Sequence, residues 1–164
     1  FGVAGGVDRH FGTHEPLGRG QQHGADALIN YTSEDIREKI KELTAGKGVD
    51  VVYDAVGGPY SEPALRSTAW RGRFLVVGFA AGEIPKIPLN LTLLKGCSIV
   101  GVFWGDFARR EPKAFAASIG QLGAWYREGK LKPHVSQTFP LAQAVEALKQ
   151  MAARKVKGKV VLTP

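Results

Sequence analysis

Glycines near the amino terminus are the first residues whose type and spacing indicate chemistry. The segment Gly2-Val3-Ala4-Gly5-Gly6-Val7 fits the turn between a first strand and a first helix of a dinucleotide-binding unit. Glycines there let the backbone approach a pyrophosphate, and helix N–H groups and the helix dipole bind its charge. Taken alone the signal is weak, because Asp8 stands where the motif closes on glycine and its carboxylate would repel phosphate.

Two histidines offer a second kind of chemistry. His10 and His14 are four residues apart, a spacing that seats a metal ion when both lie on one helix. No helical period surrounds them and no cysteine or acidic cluster completes a ligand set, so we predict no metal site. The sequence also shows no Ser/His/Asp set and no pair of catalytic carboxylates. We therefore predict no catalytic side chain, and Asp54 is interpreted as a structural acid at a strand end.

Composition sets the class of protein. The 164 residues are 44% apolar and 23% charged, which is typical of a globular protein and excludes a disordered or coiled-coil chain. No apolar run approaches the roughly 18 residues of a membrane span, so we predict no membrane partner. The single cysteine, Cys97, excludes an internal disulfide and fits a reducing compartment. The sequence therefore predicts a cytoplasmic protein.

The net charge of +7 is concentrated near the carboxyl end. Residues 130–164 contain seven basic side chains and one acid, Glu146. Such a tail can bind nucleic acid, or it can be an ordinary solvated face. No aromatic residues are interleaved with the lysines to stack on bases, which favours the solvated face. We predict no nucleic-acid partner.

Strands and helices alternate from about Gly24 onward. Apolar runs predict strands at 27–31, 49–56, 74–79, 98–104, 134–139 and 159–162. Helical spacing predicts four helices: one capped by Thr32 or Ser33 and stopped by Gly46 as its C′ residue, one from Ser61 to Trp70, one with an apolar stripe at Phe115, Ile119, Leu122 and Trp125/Tyr126, and one over 141–154. This alternation predicts an α/β fold, a doubly wound parallel sheet of the Rossmann type.

Several ordered segments carry a family resemblance. Together, GADALINYTSEDIREKIKELTAGKGVDVVYDAVGG, GRFLVVGFAAG, IPLNLTLLKGCSIVGVFWG and GKVVLTP closely resemble the zinc-independent NADPH:quinone oxidoreductases, relatives of zeta-crystallin in the medium-chain dehydrogenase/reductase superfamily. The resemblance runs from about Gly24 to Pro164. It implies hydride transfer from NADPH to a quinone or another activated double bond. The segment AGGV at positions 4–7 resembles the phosphate-binding turn of that family.

The resemblance also implies cofactor-binding residues. Tyr31 resembles the family tyrosine beside the adenosine ribose phosphate, Phe103 and Trp104 match a segment that flanks the nicotinamide, and Lys159 resembles a basic residue that reaches the cofactor. For several positions a plain core or turn role stays open. The full implied set is Gly5, Gly6, Val7, Tyr31, Val56, Gly57, Gly78, Phe79, Ala80, Phe103, Trp104 and Lys159.

The resemblance divides the chain into three parts. A βαβ unit takes about 30 residues, and only about 20 lie between Val7 and Ala27, so residues 1–23 are predicted to be a damaged remnant of the first such unit. Residues 24–130 are the remainder of the dinucleotide-binding domain, and residues 131–164 are a tail that in the family packs on an N-terminal catalytic domain. We therefore expect a sheet truncated in its first half, a strand at 27–31 without its neighbour, and a partial or inactive enzyme.

Two further expectations follow from this division. Without a catalytic domain the tail would expose apolar side chains, namely Val135, Phe139, Val160, Val161 and Leu162. The alternative to an enzyme is a non-catalytic dimerising fragment, because in the family the strand at 98–104 is a sheet edge that pairs with its copy.

Overall fold

The structure is a computed structural model. It describes residues 25–31, 33–153, 155–156 and 158–164, and the backbone alone of residues 2–4 and 7–8. The chain divides into two compact units, Phe1–Phe103 and Trp104–Pro164. This division differs from the boundary predicted between residues 130 and 131. That boundary depends on a domain outside this sequence and stays a prediction.

The first unit is built on a six-stranded sheet. Its strands are β1 (Gly2–Ala4), β2 (Val7–Asp8), β3 (Ala27–Leu28), β4 (Val49–Asp54), β5 (Thr68–Val76) and β6 (Ser98–Gly101). They lie in the order β3-β2-β1-β4-β5-β6, which is the strand order of a Rossmann sheet. β1 is antiparallel to both of its neighbours, and the other five strands are parallel to one another. The α/β fold is therefore as predicted, with one reversed strand.

The amino-terminal segment departs from its prediction. Val7 lies in a strand whose register with β1 pairs Val3 with Val7, so the expected helix does not begin there. Gly5 and Gly6 lie outside the described residues. β3 also keeps a neighbour, contrary to expectation, because Val7 and Asp8 of β2 pair with it in parallel. That pairing is short, since β2 has only two residues.

Helix α1 (Ile36–Leu43) has different ends from those predicted. Its N-cap is Asp35, whose Oδ1 accepts hydrogen bonds from the N–H groups of Arg37 and Glu38, both at 2.9 Å. Ser33 is therefore not the cap, and Thr32 lies outside the described residues. At the other end the left-handed C′ residue is Ala45, with φ of 49°, and Gly46 follows it. The prediction therefore placed the C′ residue one position too far along the chain.

The segment around Trp70 is a strand rather than a helix. Helix α2 (Ser61–Arg66) follows a 3-10 turn at Gly58–Tyr60 and ends before Ser67, whose N–H and hydroxyl both donate to the carbonyl of Pro63. Ser61 is its first residue and caps no backbone N–H. β5 begins at Thr68, so the predicted strand 74–79 starts earlier and ends at Val76. β6 likewise ends at Gly101, before Trp104.

A short helix that the sequence reading missed, α3 (Asn90–Lys95), completes the first unit. Six residues are too few to show a helical apolar period. The core of the unit joins the sheet to α1, α2 and α3. Its buried apolar side chains are Ile29, Ile36, Ile40, Val49, Val52, Val56, Ala64, Leu65, Phe74 and Leu91.

The second unit contains α4 (Trp104–Arg110), α5 (Pro112–Arg127), β7 (Val135–Pro140), α6 (Ala144–Ala152) and β8 (Lys159–Thr163). β7 and β8 are parallel. The predicted helix over 141–154 begins as a 3-10 turn at Leu141–Gln143, and Arg154 lies outside the described residues. As expected, Val135, Val161 and Leu162 are exposed, whereas Phe139 and Val160 are half-buried.

The predicted core stripe of α5 is mostly exposed. Phe115 is half-buried and packs edge-on against Trp104 at 5.3 Å, but Ile119, Leu122, Trp125 and Tyr126 are exposed. In this unit α5 packs mainly against α4, near the Phe115 end of the stripe. No helix among the described residues is long and apolar enough to cross a membrane.

Candidate functional site

The carboxyl ends of four parallel strands bring the predicted site residues of the first unit to one side of the sheet. β3, β4, β5 and β6 run in the same direction, so the segments that follow them lie at the same edge. We call these segments, residues 29–31, 55–58, 77–83 and 102–103, the carboxyl edge. Ligands of open α/β sheets bind outside this edge. It contains Tyr31, Val56, Gly57, Gly78, Phe79, Ala80 and Phe103.

Asp54 organises the turn at the centre of the carboxyl edge. Its side chain is 3% exposed, and Oδ1 accepts hydrogen bonds from the N–H groups of Val56 at 2.8 Å and Gly57 at 2.9 Å. Oδ2 accepts from the hydroxyl of Ser61 at 2.6 Å. Both oxygens therefore bind the protein itself. Asp54 is confirmed as a structural acid at the end of a strand.

Gly57 is a position that steric constraints reserve for glycine. Its φ of 70° and ψ of −151° fall in a region that side chains rarely adopt. A Cβ at Gly57 would also lie 2.8 Å from Cδ1 of Phe79. The ring of Phe79 therefore lies against the backbone of Gly57, while 40% of its surface stays exposed.

Backbone hydrogen bonds join the loop after β5 to the loop after β4. The N–H groups of Val77 and Gly78 donate to the carbonyl of Asp54, at 2.8 Å and 3.2 Å. Three more hydrogen bonds join the same two loops: Ala80 N–H to Ala55 O, Ala81 N–H to Val56 O and Gly58 N–H to Glu83 O. A Cβ at Gly78 would lie 3.3 Å from the carbonyl oxygen of Ala55. The two loops thus form one continuous layer.

Tyr31 and Phe103 lie at the two ends of the carboxyl edge. The ring of Tyr31 packs edge-on against Tyr60, with 4.9 Å between the ring centroids. Sequence reasoning missed Tyr60, and its only signal was its place in the turn Gly57-Gly58-Pro59-Tyr60. Phe103 follows β6 with 78% of its surface exposed, just after the bond from Val102 N–H to Val76 O.

The remaining predicted residues lie elsewhere in the chain. Trp104 and Lys159 belong to the second unit, where Trp104 packs against Phe107 and Phe115 and the backbone N–H of Lys159 donates to His134 O at 2.8 Å. Val7 lies in β2, and Gly5 and Gly6 are outside the described residues. The geometry of the first unit therefore groups only the carboxyl-edge residues.

A small apolar cavity of about 130 Å³ lies beside the carboxyl edge, lined by residues that include Asp54, Ser61 and Phe79. Pockets for drug-sized ligands measure about 300–1,000 Å³. This cavity is therefore too small to hold a dinucleotide.

The described residues do not fit a zinc ion. Among them no group of three or more His, Cys, Asp and Glu side chains could hold a metal. Zinc sites in proteins use three or four such ligands. His10 and His14, the pair that sequence reasoning considered, lie outside the described part of the chain.

Comparisons with known proteins agree on one family. The model of the "Zinc-binding dehydrogenase" family matches residues 23–162. "Quinone oxidoreductase-like protein 2 homolog" of Nematostella vectensis is 43% identical over 143 residues, which are 87% of this chain and 39% of that protein. "Quinone oxidoreductase-like protein 2" of Bos taurus is 37% identical over 93% of this chain and 44% of its own length.

A solved structure gives the same result. The crystal structure of Escherichia coli quinone oxidoreductase complexed with NADPH superposes with a TM-score of 0.83 at 27% identity, and the match covers 96% of this chain and 49% of that one. This chain thus spans less than half the length of these relatives. Because the family model covers most of the sequence, the chain belongs to the zinc-binding dehydrogenase family and, within it, to the quinone oxidoreductase-like proteins of the medium-chain dehydrogenase/reductase superfamily.

Proposed function

We propose that this chain forms the cofactor-binding part of a cytoplasmic, NADPH-dependent oxidoreductase that reduces a quinone or another activated double bond. The observation that supports it is the carboxyl edge, where Gly57 and Gly78 allow two loops to join in one layer beneath an exposed aromatic ring. The Escherichia coli neighbour, solved in complex with NADPH, has the same fold.

Bound NADPH would supply a hydride, which together with one proton from solvent reduces a quinone to a hydroquinone and leaves NADP⁺. The residues of the chain contribute binding and shielding, since the proposed reaction needs no acid or base from the protein. Phe79 and Phe103 offer apolar surface for the nicotinamide end, and Tyr31 would lie at the ribose phosphate end. The buried bonds of Asp54 hold the turn between them.

Further contacts belong to the same proposal. The predicted glycine turn is left out of this site, because β1 runs antiparallel to β4 and Val7 begins β2 at the opposite edge of the sheet. Val56 and Ala80 would contact the cofactor through their backbones. Trp104 and Lys159 are proposed for the nicotinamide and phosphate ends, on the family resemblance alone. Among the described residues no group of three or more His, Cys, Asp and Glu side chains could hold a metal ion.

The experiment titrates the full chain with NADPH and, in parallel, with NADH. Quenching of the fluorescence of Trp70, Trp104 and Trp125 measures binding. We expect saturable binding of NADPH and weaker binding of NADH. Calorimetry on Phe79→Ala would show a loss of affinity of at least fivefold, whereas Tyr126→Ala, which removes an exposed ring from α5, would leave it unchanged. A folded chain that binds neither nucleotide would overturn the proposal.

A second candidate function is dimerisation without catalysis. β6 lies at the end of the sheet, pairs with β5 alone among the described strands, and all four of its residues are exposed. An exposed strand edge is a template for pairing with a second copy. Sedimentation of the full chain would show a dimer that Val100→Lys converts to monomer. A monomer at all concentrations would exclude this function without bearing on NADPH binding.

A further inference from the structure

A basic cavity lies at the opposite end of β4 from the carboxyl edge. Its volume is about 260 Å³, and it lies among α1, the end of α2, the end of α3 and the turn at 46–48. β4 has six residues, and at about 3.3 Å per residue its length separates the cavity from the carboxyl edge by some 15–20 Å. The charged lining is one carboxylate, Glu38, and five cations: Arg37, Lys41, Lys47, Arg66 and Lys95.

Two of these cations have no ion-pair partner among the described residues. Arg66 pairs with Glu62 at 2.6 Å, Lys41 with Glu38 at 3.8 Å and Lys47 with Asp50 at 3.6 Å. Arg37 and Lys95 form no ion pair with any residue in the described ranges. The cavity therefore combines positive charge with side-chain N–H donors that are free to bind a ligand.

Three of the five cations, Lys41, Arg66 and Lys95, lie in the last turn of a helix, whereas Arg37 lies in the first turn of α1. Lysine and arginine near a helix C-terminus commonly hydrogen-bond to the last carbonyl groups. Here backbone N–H groups already bind some of those carbonyls at each of the three helices. The bonds are Gly46 N–H to Lys41 O and Ala45 N–H to Glu42 O at α1, Ser67 N–H to Pro63 O at α2, and Gly96 N–H to Leu93 O and Cys97 N–H to Thr92 O at α3.

The floor of the cavity is rigid. A Cβ at Gly48 would lie 2.6 Å from the carbonyl oxygen of Ser67, so the turn presses against the end of α2. The N–H of Gly48 donates to Oγ1 of Thr44 at 3.0 Å, and the N–H of Val49 donates to Ser67 O at 3.0 Å. These contacts hold the turn at 46–48 in place. A side of the cavity that is already ordered lowers the entropy cost of binding a ligand.

We propose that this cavity binds a phosphate group, either as free phosphate or as a small phosphomonoester, between Arg37 and Lys95. A guanidinium can donate two parallel hydrogen bonds to one phosphate, and an ammonium adds a compact positive charge. The site is separate from the proposed NADPH edge and does not depend on it.

The test measures thermal unfolding of the full chain in rising inorganic phosphate, with sodium chloride adjusted to keep the ionic strength constant. A ligand that binds only the folded state raises the Tm along a saturation curve. The double variant Arg37→Gln/Lys95→Gln should weaken the apparent affinity at least tenfold. The matched control, Lys113→Gln/Lys132→Gln, removes two exposed cations from the second unit and should leave the affinity unchanged.

Three results would overturn the proposal: the same Tm rise in sodium chloride alone, a phosphate effect retained by Arg37→Gln/Lys95→Gln, or a phosphate effect that saturating NADPH abolishes. Since Arg37 is exposed on α1, calorimetry on Arg37→Gln alone keeps the test valid if the double variant misfolds. A parallel titration with glycerol 3-phosphate distinguishes a phosphomonoester from free phosphate as the ligand. Tighter binding than inorganic phosphate indicates a phosphomonoester, and equal or weaker binding indicates the free anion.

Discussion

The hydroxyl of Ser61 donates a 2.6 Å hydrogen bond to the carboxylate of Asp54, seven residues earlier in the chain. Both side chains are buried, and the other oxygen of Asp54 binds two backbone N–H groups of the intervening turn. This single acid therefore ties the end of β4 to the start of α2. The path of the chain at the centre of the carboxyl edge depends on it.

The first prediction concerns this acid. Asp54→Ala leaves the N–H groups of Val56 and Gly57 and the hydroxyl of Ser61 buried without an acceptor, and each such group costs about 1–3 kcal/mol. We expect a loss of about 3 kcal/mol or more in the free energy of unfolding, measured with urea. Ser61→Ala should cost about 1–2 kcal/mol, because it removes only one of the three bonds.

A matched control separates this network from the general effect of losing a serine hydroxyl. Ser118→Ala removes an exposed hydroxyl that donates to Ala114 O within α5, and its effect should be below about 0.5 kcal/mol. The double variant Asp54→Ala/Ser61→Ala should cost less than the sum of its parts. Additive losses would show that the two side chains act independently.

The second prediction concerns Gly57. Gly57→Ala must hold a side chain at a φ of 70° and push the ring of Phe79 away, so we expect about 3 kcal/mol of destabilisation. The control is Gly82→Ala, where φ is 90° but nothing lies within 4 Å of the added Cβ; strain alone should cost about 1 kcal/mol. Urea unfolding of both variants gives the difference. Equal losses would mean that contact with Phe79 contributes nothing.

The fold could be predicted from the sequence wherever a long apolar run or a long helical stripe was present. β4 is one example, because it starts at the predicted Val49 and ends at Asp54 instead of residue 56. The helix predicted from the apolar stripe that starts at Phe115 is another, and it is α5. Trp70 shows the limit of such reasoning. The sequence predicted a helix from Ser61 through Trp70, yet Ser67 ends α2 through its bonds to Pro63, and Trp70 covers Gly96 from a strand.

Some residues of the candidate sites were predicted from the sequence, and others were not. Gly57, Gly78 and Phe79 were predicted by resemblance, and the structure supplies a steric reason for the first two. Arg37 and Lys95 were not predicted, because they are far apart in the sequence and line one cavity only because α1 and α3 both pack against α2. Sequence spacing detects a site within one turn or one helix, whereas tertiary packing creates the basic cavity.

The third prediction is a stabilising substitution at the end of α1. Ala45 adopts a left-handed conformation that costs a residue with a Cβ about 1–2 kcal/mol, and glycine avoids most of this cost. Glycine also has more conformational entropy in the unfolded chain, which offsets part of this gain. The net effect of Ala45→Gly should be an increase of about 0.5 kcal/mol in the free energy of unfolding. Ala116→Gly, in the exposed middle of α5, should instead lower it by about 1 kcal/mol. A loss at both positions would contradict the assigned backbone.

The last prediction is a pH dependence in the second unit. Hydrogen bonds from Arg110 and Arg109 hold the pKa of the Asp106 carboxyl below its ordinary value. A depressed folded-state pKa adds stability above the unfolded-state pKa, near 3.9, and that stability is lost as the pH falls through the folded-state pKa. The difference in urea stability between the native chain and Asp106→Asn should therefore be constant from pH 7 to about 5 and shrink below about pH 4. Since both arginines are exposed, added salt should reduce the difference at neutral pH. A difference that grows as the pH falls would show that these hydrogen bonds do not favour the ionised carboxylate.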